Sequence, residues 1–240
     1  MNSIALNNSW MQRMFSSASS SYVMLNRILT FGQDDRWRQA AVDIIRPSEK
    51  DKILDICTGT ADLALKITRR FPALEIYALD YSPNMLAVAR RRLESLTQHN
   101  LIFKEGDCTH MEFGDDYFDY VTISFGFRNL SFSKENLIKA LKEIYRVLKR
   151  GGKFIILETS QPANILIRRL FHLYAGGVVP RIGRLVSGKR EPYTYLGTSI
   201  VRFFDRFELA RILESCGFKI KKVLSKSFIF GAILLYVVEK

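Results

Sequence analysis

Asp55, Asp62 and Asp80 are the acids whose spacing in this chain suits a ligand. Asp55 interrupts a short apolar run, Ile53 to Ile56, of the kind that forms a strand buried on both faces. A turn of small residues follows, Cys57-Thr58-Gly59-Thr60-Ala61-Asp62, and then Leu63, Ala64, Ile67 and Phe71 recur at helical spacing. Strand, tight turn and helix open a nucleotide-type α/β fold, in which ligands sit beyond the carboxyl ends of parallel strands. About 20 residues beyond Gly59 a second apolar run, Leu74 to Leu79, ends in Asp80. A carboxylate there accepts hydrogen bonds from both hydroxyls of a ribose, while Gly59 lets the backbone come close to the ligand.

Two cofactor classes use this layout. A dinucleotide site has the form GxGxxG, whose extra glycines admit a pyrophosphate at the helix N-terminus. This turn has one glycine, flanked by Asp55 and Asp62. Two carboxylates repel a pyrophosphate and suit a cofactor carrying an ammonium and a sulfonium, that is S-adenosylmethionine. The plainer reading is an ordinary tight turn in an α/β domain; Asp80 in register favours the cofactor.

The elements that must hold these residues follow in order. Residues 1–46 read as a helical prelude, polar and serine-rich at first. In it Asp34 or Asp35 is expected to cap a helix that contains Trp37, Ala41, Ile44 and Ile45 and is ended by Pro47. The prelude either packs on the domain or covers a cofactor. Ser82-Pro83 starts the helix after the second strand. Leu101 to Phe103 is a short third strand, followed by Asp107-Cys108; Asp107 is placed to read an adenine amine or to cap a turn. The fourth strand, Phe118 to Phe125, carries Ser124 at its end and runs into Gly126-Phe127-Arg128-Asn129. Ser133 caps the next helix, and Gly151 and Gly152 are expected to end it through a left-handed exit. Phe154 to Leu157 is the fifth strand, ending in Glu158. An insertion occupies about 160–202, Phe207 to Ser215 forms another helix, and two last strands close the chain. Residues 47–240 are thus one α/β domain, with β-α repeated five times before a β-hairpin.

Hydrophobic residues make up 48% of the 240 and charged residues 25%, the balance of a soluble globular protein. No apolar run reaches the ~18 residues of a membrane span, and the N-terminus lacks the apolar core of a signal peptide. Cys57, Cys108 and Cys216 form no CxxC pair, and His99, His110 and His172 have no metal-ligand spacing. A reducing, cytoplasmic protein without a metal is expected. Lys and Arg number 36 against 24 acids, a formal charge of +12. Such an excess attracts nucleic-acid phosphates or an anionic lipid surface, or is simply solvated. From Ser160 to Arg190 the chain carries Arg168, Arg169, Arg181, Arg184, Lys189 and Arg190 among apolar residues, with no acid. That stretch reads as a lid or membrane-facing surface, or as helices on the core with their arginines in water.

The segments LDICTGTAD, LDYSPNML, ISFGFRNL, LKRGGKF, LETSQP and VVPRIGRLVSGKREPYTYLGTSI together resemble the ubiquinone/menaquinone C-methyltransferase family, UbiE/MenG type. The first indicates only the wider class; the FGFRN and PRIGRLVSG…YTYLGTSI stretches lie outside the generic cofactor fold and are more specific. The resemblance implies a class I S-adenosylmethionine-dependent methyltransferase, Rossmann-like, with a seven-stranded, mostly parallel sheet and a terminal antiparallel hairpin. It implies methyl transfer to a ring carbon of a prenylated quinol, with demethylmenaquinol favoured over the benzoquinol of ubiquinone synthesis and over another small aromatic or lipid. Carried over by position, Thr60, Asp80, Asp107, Cys108 and Ser124 are cofactor contacts alongside Asp55 and Gly59, and Arg128 and Asn129 face the quinol. Ala61 stands where the family commonly has a glycine, and Asp107-Cys108 where it usually has Asn-Ala.

The chemistry such a reaction needs is a ring carbon made nucleophilic by loss of a proton from the neighbouring hydroxyl. Arg128 suits stabilisation of that oxygen, and at an ordinary guanidinium pKa it is no base; its structural alternative is to tie the loop to a nearby carboxylate. No general base is evident in the sequence; Tyr22, Tyr193, Tyr195 and His172 are the candidates, and each is read as packing or orientation before catalysis. A nucleic-acid methyltransferase is the distant alternative. The amino-directed DNA enzymes carry D/N-P-P-Y/F after strand four, where this chain reads Ser124-Phe125-Gly126-Phe127, so no nucleic-acid partner is expected. Peripheral contact with the inner face of an anionic membrane and a homodimer are both left open.

Overall fold

The computed structural model describes residues 13–14, 22–96, 100–228 and 231–240. The serine tract and His99 lie outside the described residues, as does the side chain of Tyr22. In chain order the elements are α1 (Tyr22–Leu29), α2 (Gln33–Val42), β1 (Lys52–Ile56), α3 (Asp62–Arg70), β2 (Glu75–Asp80), α4 (Pro83–Glu94), β3 (Leu101–Glu105) and β4 (Phe118–Ser124). Next come α5 (Phe127–Leu130), α6 (Lys134–Val147), β5 (Leu148–Ser160), α7 (Ile165–Leu173), a π turn (Tyr174–Val178), α8 (Val179–Ser187) and α9 (Glu191–Arg202). The chain closes with α10 (Arg206–Ser215), β6 (Lys219–Phe228) and β7 (Gly231–Glu239).

The described strands form one seven-stranded sheet of order β3-β2-β1-β4-β5-β7-β6. It is parallel from β3 through β5, and β7 pairs antiparallel with both β5 and β6. The expected fold class is the observed one. β1 and β4 are apolar because both their faces are covered. One face packs Leu137, Leu141, Ile144, Leu209 and Leu213 from α6 and α10; the other packs Trp37, Ala41, Leu63, Ile67 and Ala89 from α2, α3 and α4.

Local signals mark most helix starts. Ser82 Oγ accepts from the Met85 N–H with Pro83 in the first turn, and Ser133 Oγ accepts from the Asn136 N–H. Asp205 and Glu208 form a capping box at α10. Two expectations are corrected. α2 begins after Gly32 in the left-handed region, neither Asp34 nor Asp35 caps it, and it ends at Val42, short of Ile44, Ile45 and Pro47; Asp34 instead accepts from Thr30 Oγ1 and Arg38 Nη1. Likewise α6 ends at Val147 with Leu148 already extended, so Gly151 and Gly152 are not its exit. They lie in a bulge of β5, where the pairing jumps from Phe118–Leu148 to Tyr120–Lys153. A Cβ on Gly152 would stand 2.8 Å from the Lys149 carbonyl oxygen.

The prelude and the insertion meet above the carboxyl ends of the strands. Tyr174 Oη in the π turn donates to the Leu29 carbonyl of α1 at 2.6 Å. α9 lies directly against that turn, since a Cβ on Gly197 would come within 2.1 Å of the Ala175 carbonyl oxygen.

Candidate active site

Two adjoining cavities lie at that end of the sheet. The first opens over the ends of β1, β2, β3 and β4 and is lined by Gly59, Asp80, Asp107, Cys108, Ser124 and Asn129, among others. The second lies between α1, α2, α5, the insertion and β7. Arg38 and Phe125 line both.

The turn after β1 is wound tightly, with positive φ at Cys57, Gly59 and Ala61. Only glycine takes that region without strain, and beyond Gly59 a Cβ would meet nothing within 4 Å. The loop is held from β2: the Gly59 N–H donates to Asp80 Oδ2 at 2.7 Å, the Ser82 N–H to Asp80 Oδ1 at 2.9 Å, and the Thr58 N–H to the Leu79 carbonyl at 3.0 Å. Burial pushes the Asp80 carboxyl up, and the backbone N–H groups of Ser82, Gly59 and Tyr81 oppose that shift. Each carboxylate oxygen can accept more than one hydrogen bond, so Asp80 can brace two loops and still receive ribose hydroxyls.

The acids flanking the glycine behave differently from the expectation. Asp55 is buried beneath the loop and does not line the cavity; its oxygens accept from Thr58 Oγ1 at 2.6 Å and Thr122 Oγ1 at 2.7 Å. Burial raises its pKa to about 6. Thr60 is also buried away from the cavity, with its hydroxyl donating to Asp62 Oδ2 at 3.0 Å. Asp62 does line it, but Arg92 Nη2 donates to Asp62 Oδ1 at 2.8 Å and Arg38 lies 4.0 Å away. Burial alone would raise the Asp62 pKa, and the two guanidiniums hold it below the usual range. The two carboxylates read as facing a cationic cofactor are thus one brace and one ion pair. A strand-end side chain points to one sheet face or the other, and Asp55 points away from the cavity.

Asp107 makes the turn that was the second reading of it: its Oδ1 accepts from the Thr109 N–H and Oγ1, each at 2.8 Å. It still lines the cavity. The residues fit S-adenosylmethionine: acceptors at the ends of β2 and β3, a glycine turn open on its outer side, and a floor of Leu79, Met85 and Cys108. When bound, that cofactor supplies a methyl group on a sulfonium.

The second cavity is apolar, with Leu29, Trp37, Phe171, Val179, Leu196 and Ile200 in its wall, and it includes two buried arginines. Arg128 lies here and not in the first cavity. Its Nη1 donates to Glu158 Oε1 at 2.5 Å, and its backbone N–H to Oε2 at 3.3 Å. Arg128 therefore does tie its loop to a carboxylate. Arg38 on α2 likewise donates through Nη1 to a carboxylate, Asp34 Oδ2, and lies over the Phe125 ring, 5.1 Å from its centroid.

Asn129 Oδ1 accepts from Tyr195 Oη at 3.4 Å. Burial pushes the Tyr195 phenol up to about 12 against the lowering effect of Arg128, so it is protonated at neutral pH and is a donor there. His172 pairs with Gln161 Oε1 at 2.7 Å, outside both cavity walls, and burial lowers its pKa. Tyr193 is packed on Gly183, where a Cβ would overlap its ring. Sequence reasoning passed over Arg38 and Phe125. Arg38 is one of 36 basic residues, and no local pattern marks it.

A sheet of this order, with an acid at the end of β2 holding the glycine turn and a second cavity beside the first, defines the S-adenosylmethionine-dependent methyltransferase class. A crystal structure of such a methyltransferase from Aquifex aeolicus has the same fold, with a TM-score of 0.62 at 15% identity, covering 91% of this chain and 98% of that one. This chain belongs to the ubiE/COQ5 methyltransferase family, whose model matches residues 3–240. It is 37% identical to a demethylmenaquinone methyltransferase of Deinococcus radiodurans over 95% of this chain and 92% of that one. It is 38% identical to a ubiquinone/menaquinone biosynthesis C-methyltransferase UbiE of Geobacter sulfurreducens, over 95% and 87%. Among the described residues no helix is long and apolar enough to cross a membrane.

Proposed function

We propose that the protein methylates a ring carbon of a prenylated quinol, demethylmenaquinol to menaquinol, with S-adenosylmethionine as donor. The observation that carries this is the apolar second cavity, joined to the cofactor cavity through Arg38 and Phe125 and containing paired guanidiniums. An apolar wall suits a prenylated ring, and N–H donors suit its oxygens. The quinol hydroxyl would give its proton to water, the adjacent ring carbon would take the methyl group as the S–CH3 bond breaks to leave the neutral thioether S-adenosylhomocysteine, and the ring proton would move to the oxygen as aromaticity returns, one proton being released overall. Holding the two reactants in line supplies a large part of the acceleration.

In this reading Arg128, held by Glu158, donates to the developing oxyanion, and Asn129 with Tyr195 orients the ring or a water beside it. Arg128→Lys keeps a charge opposite Glu158 and loses the planar fork. It lowers kcat by about 10²-fold, an oxyanion-donor-sized loss, with cofactor affinity unchanged by calorimetry; cofactor affinity falling in step with kcat would rule the role out. Turnover of demethylmenaquinol measured beside the demethylated benzoquinol tests the substrate, and a faster benzoquinol reaction would replace the first assignment with the second. The UbiE-named relative keeps that second substrate in view.

The same reading places the protein at the membrane that holds its substrate. Ile165, Leu166 and Leu173 on α7, Leu185 on α8 and Met24, Ile28 and Phe31 around α1 are exposed, on segments that also carry Arg168, Arg169, Arg181 and Arg184. An apolar face with arginines suits anionic headgroups. Sedimentation with anionic vesicles is expected at low salt and is weakened at high salt; binding indifferent to both lipid charge and salt would make the arginines a solvated surface.

A further inference from the structure

The second cavity contains a pair of features that the proposed chemistry uses only in half. The Nε–H groups of Arg38 and Arg128 are both buried, and neither has a hydrogen-bond partner among the described residues. Both arginines line this one chamber, on different elements, α2 and α5. Burying a donor without an acceptor is unfavourable, and folded proteins leave few such groups. Two arginines with such a donor, both lining one chamber, point to a ligand that brings two acceptors.

Arg38 has little freedom to move. Asp34 on its own helix takes Nη1, Asp62 lies 4.0 Å from Nη2, and the guanidinium covers Phe125, whose ring also stands 6.1 Å from that of Trp37. Asp34 is itself fixed by the Thr30 hydroxyl at 2.9 Å. Each arginine is neutralised by its carboxylate, Arg38 by Asp34 and Arg128 by Glu158. The chamber thus presents N–H donors in an apolar wall without a net charge. A free cation would discourage a prenylated ring; a paired guanidinium with N–H to spare does not.

Resting on the quinol reading, we propose that Arg38 is a specificity-determining residue, whose Nε–H donates to one ring oxygen of the acceptor while Arg128 serves the other. The chamber then selects a ring bearing two oxygens over one bearing a single oxygen. Because Arg38 also lines the cofactor cavity, the contact sets the ring at the boundary where the methyl group arrives.

The test uses 2,3-dimethyl-1,4-naphthoquinone, whose ring positions are blocked, and its one-oxygen analogue 2,3-dimethyl-1-naphthol. Binding is read by quenching of Trp37, which lines the chamber, in a Trp10→Phe background, with the naphthol measured by displacement of the quinone. The unsubstituted chamber binds the dione at least about 10-fold more tightly than the naphthol, the size of one hydrogen bond to a charged group. Arg38→Lys keeps the charge opposite Asp34 and brings the two affinities within about twofold of each other. A ratio that survives Arg38→Lys overturns the inference and leaves the quinol reading standing. If neither compound reaches the chamber, the quinol reading fails and this inference with it. A second measurement needs no substitution at Arg38: the ¹⁵N–¹H signal of its Nε–H shifts downfield with the dione and stays put with the naphthol. A signal that the dione does not move also overturns the assignment.

Discussion

The two cavities are built in opposite ways. The first cavity is built mainly from turns, each immediately following a strand: Cys57–Asp62 after β1, Tyr81–Ser82 after β2, Gly106–Cys108 after β3 and Phe125–Asn129 after β4. Backbone hydrogen bonds to one carboxylate, Asp80, register two of these turns against each other. The second cavity is made from segments that are remote in sequence, including Asn26 to Arg38, Phe125, Arg128, Phe171 to Val179, Leu196 to Ile200 and Ala232 to Ile233. Its two cations are held by buried ion pairs. Backbone geometry defines the first site and side-chain electrostatics the second, so the two should fail differently.

The largest expected effect falls on the chamber. Glu158→Gln leaves the buried Arg128 charge unpaired, and breaking a buried pair costs about 3–5 kcal/mol. Denaturation should show that loss, with quinol turnover falling as well. Unchanged stability would mean that the pair does not organise the chamber and would erase the contrast.

Asp80→Ala acts on the other cavity. It should weaken S-adenosylmethionine binding by roughly 1.5–3 kcal/mol, the range for hydrogen bonds to a charged group, because the ribose acceptor and the anchor of the Gly59 turn are lost together. Calorimetry on the folded variant reads this directly, and unaltered affinity would move the ribose site elsewhere.

Asp55→Asn should produce the smallest change and sharpens the division within the cofactor half. The folded-state carboxyl titrates at about 6, above its ordinary 3.8. Between those values the native state binds more protons than the unfolded one, so stability falls as pH rises from about 4 to about 6. Asparagine removes that slope and keeps the side-chain shape, its oxygen accepting from one threonine hydroxyl while its NH2 donates to the other, which turns to accept. Stability at pH 7 should match or exceed that of the parent, and cofactor affinity should stay within about twofold. A loss of affinity comparable to that of Asp80→Ala would return Asp55 to the binding set.

Much of the frame of the first cavity was legible in the sequence. The β1 turn, Asp80 at the end of β2, Ser82-Pro83 at the head of α4 and the Ser133 cap are short-range signals, since a turn or cap is decided by residues within a few positions of each other. The apolar runs likewise specified the parallel strands and the closing hairpin. The same locality misled at Asp55, Thr60 and Asp34, where residue type and spacing are right for a ligand or a cap. Which way a buried acid turns depends on a partner such as Thr122, 67 residues from Asp55.

The sequence by itself determined the fold class, the glycine turn after β1, the acid that ends β2 and the loop that follows β4, because periodicity and turn chemistry are properties of contiguous residues. Tertiary structure alone decided that Arg128 is held by Glu158, that Arg38 joins the two cavities, and that α1 closes onto the insertion through Tyr174 and Leu29, 145 residues apart. Charge pairing and burial depend on distance in space, and no spacing along the chain encodes which of 36 cations will be shut away from water with a carboxylate beside it.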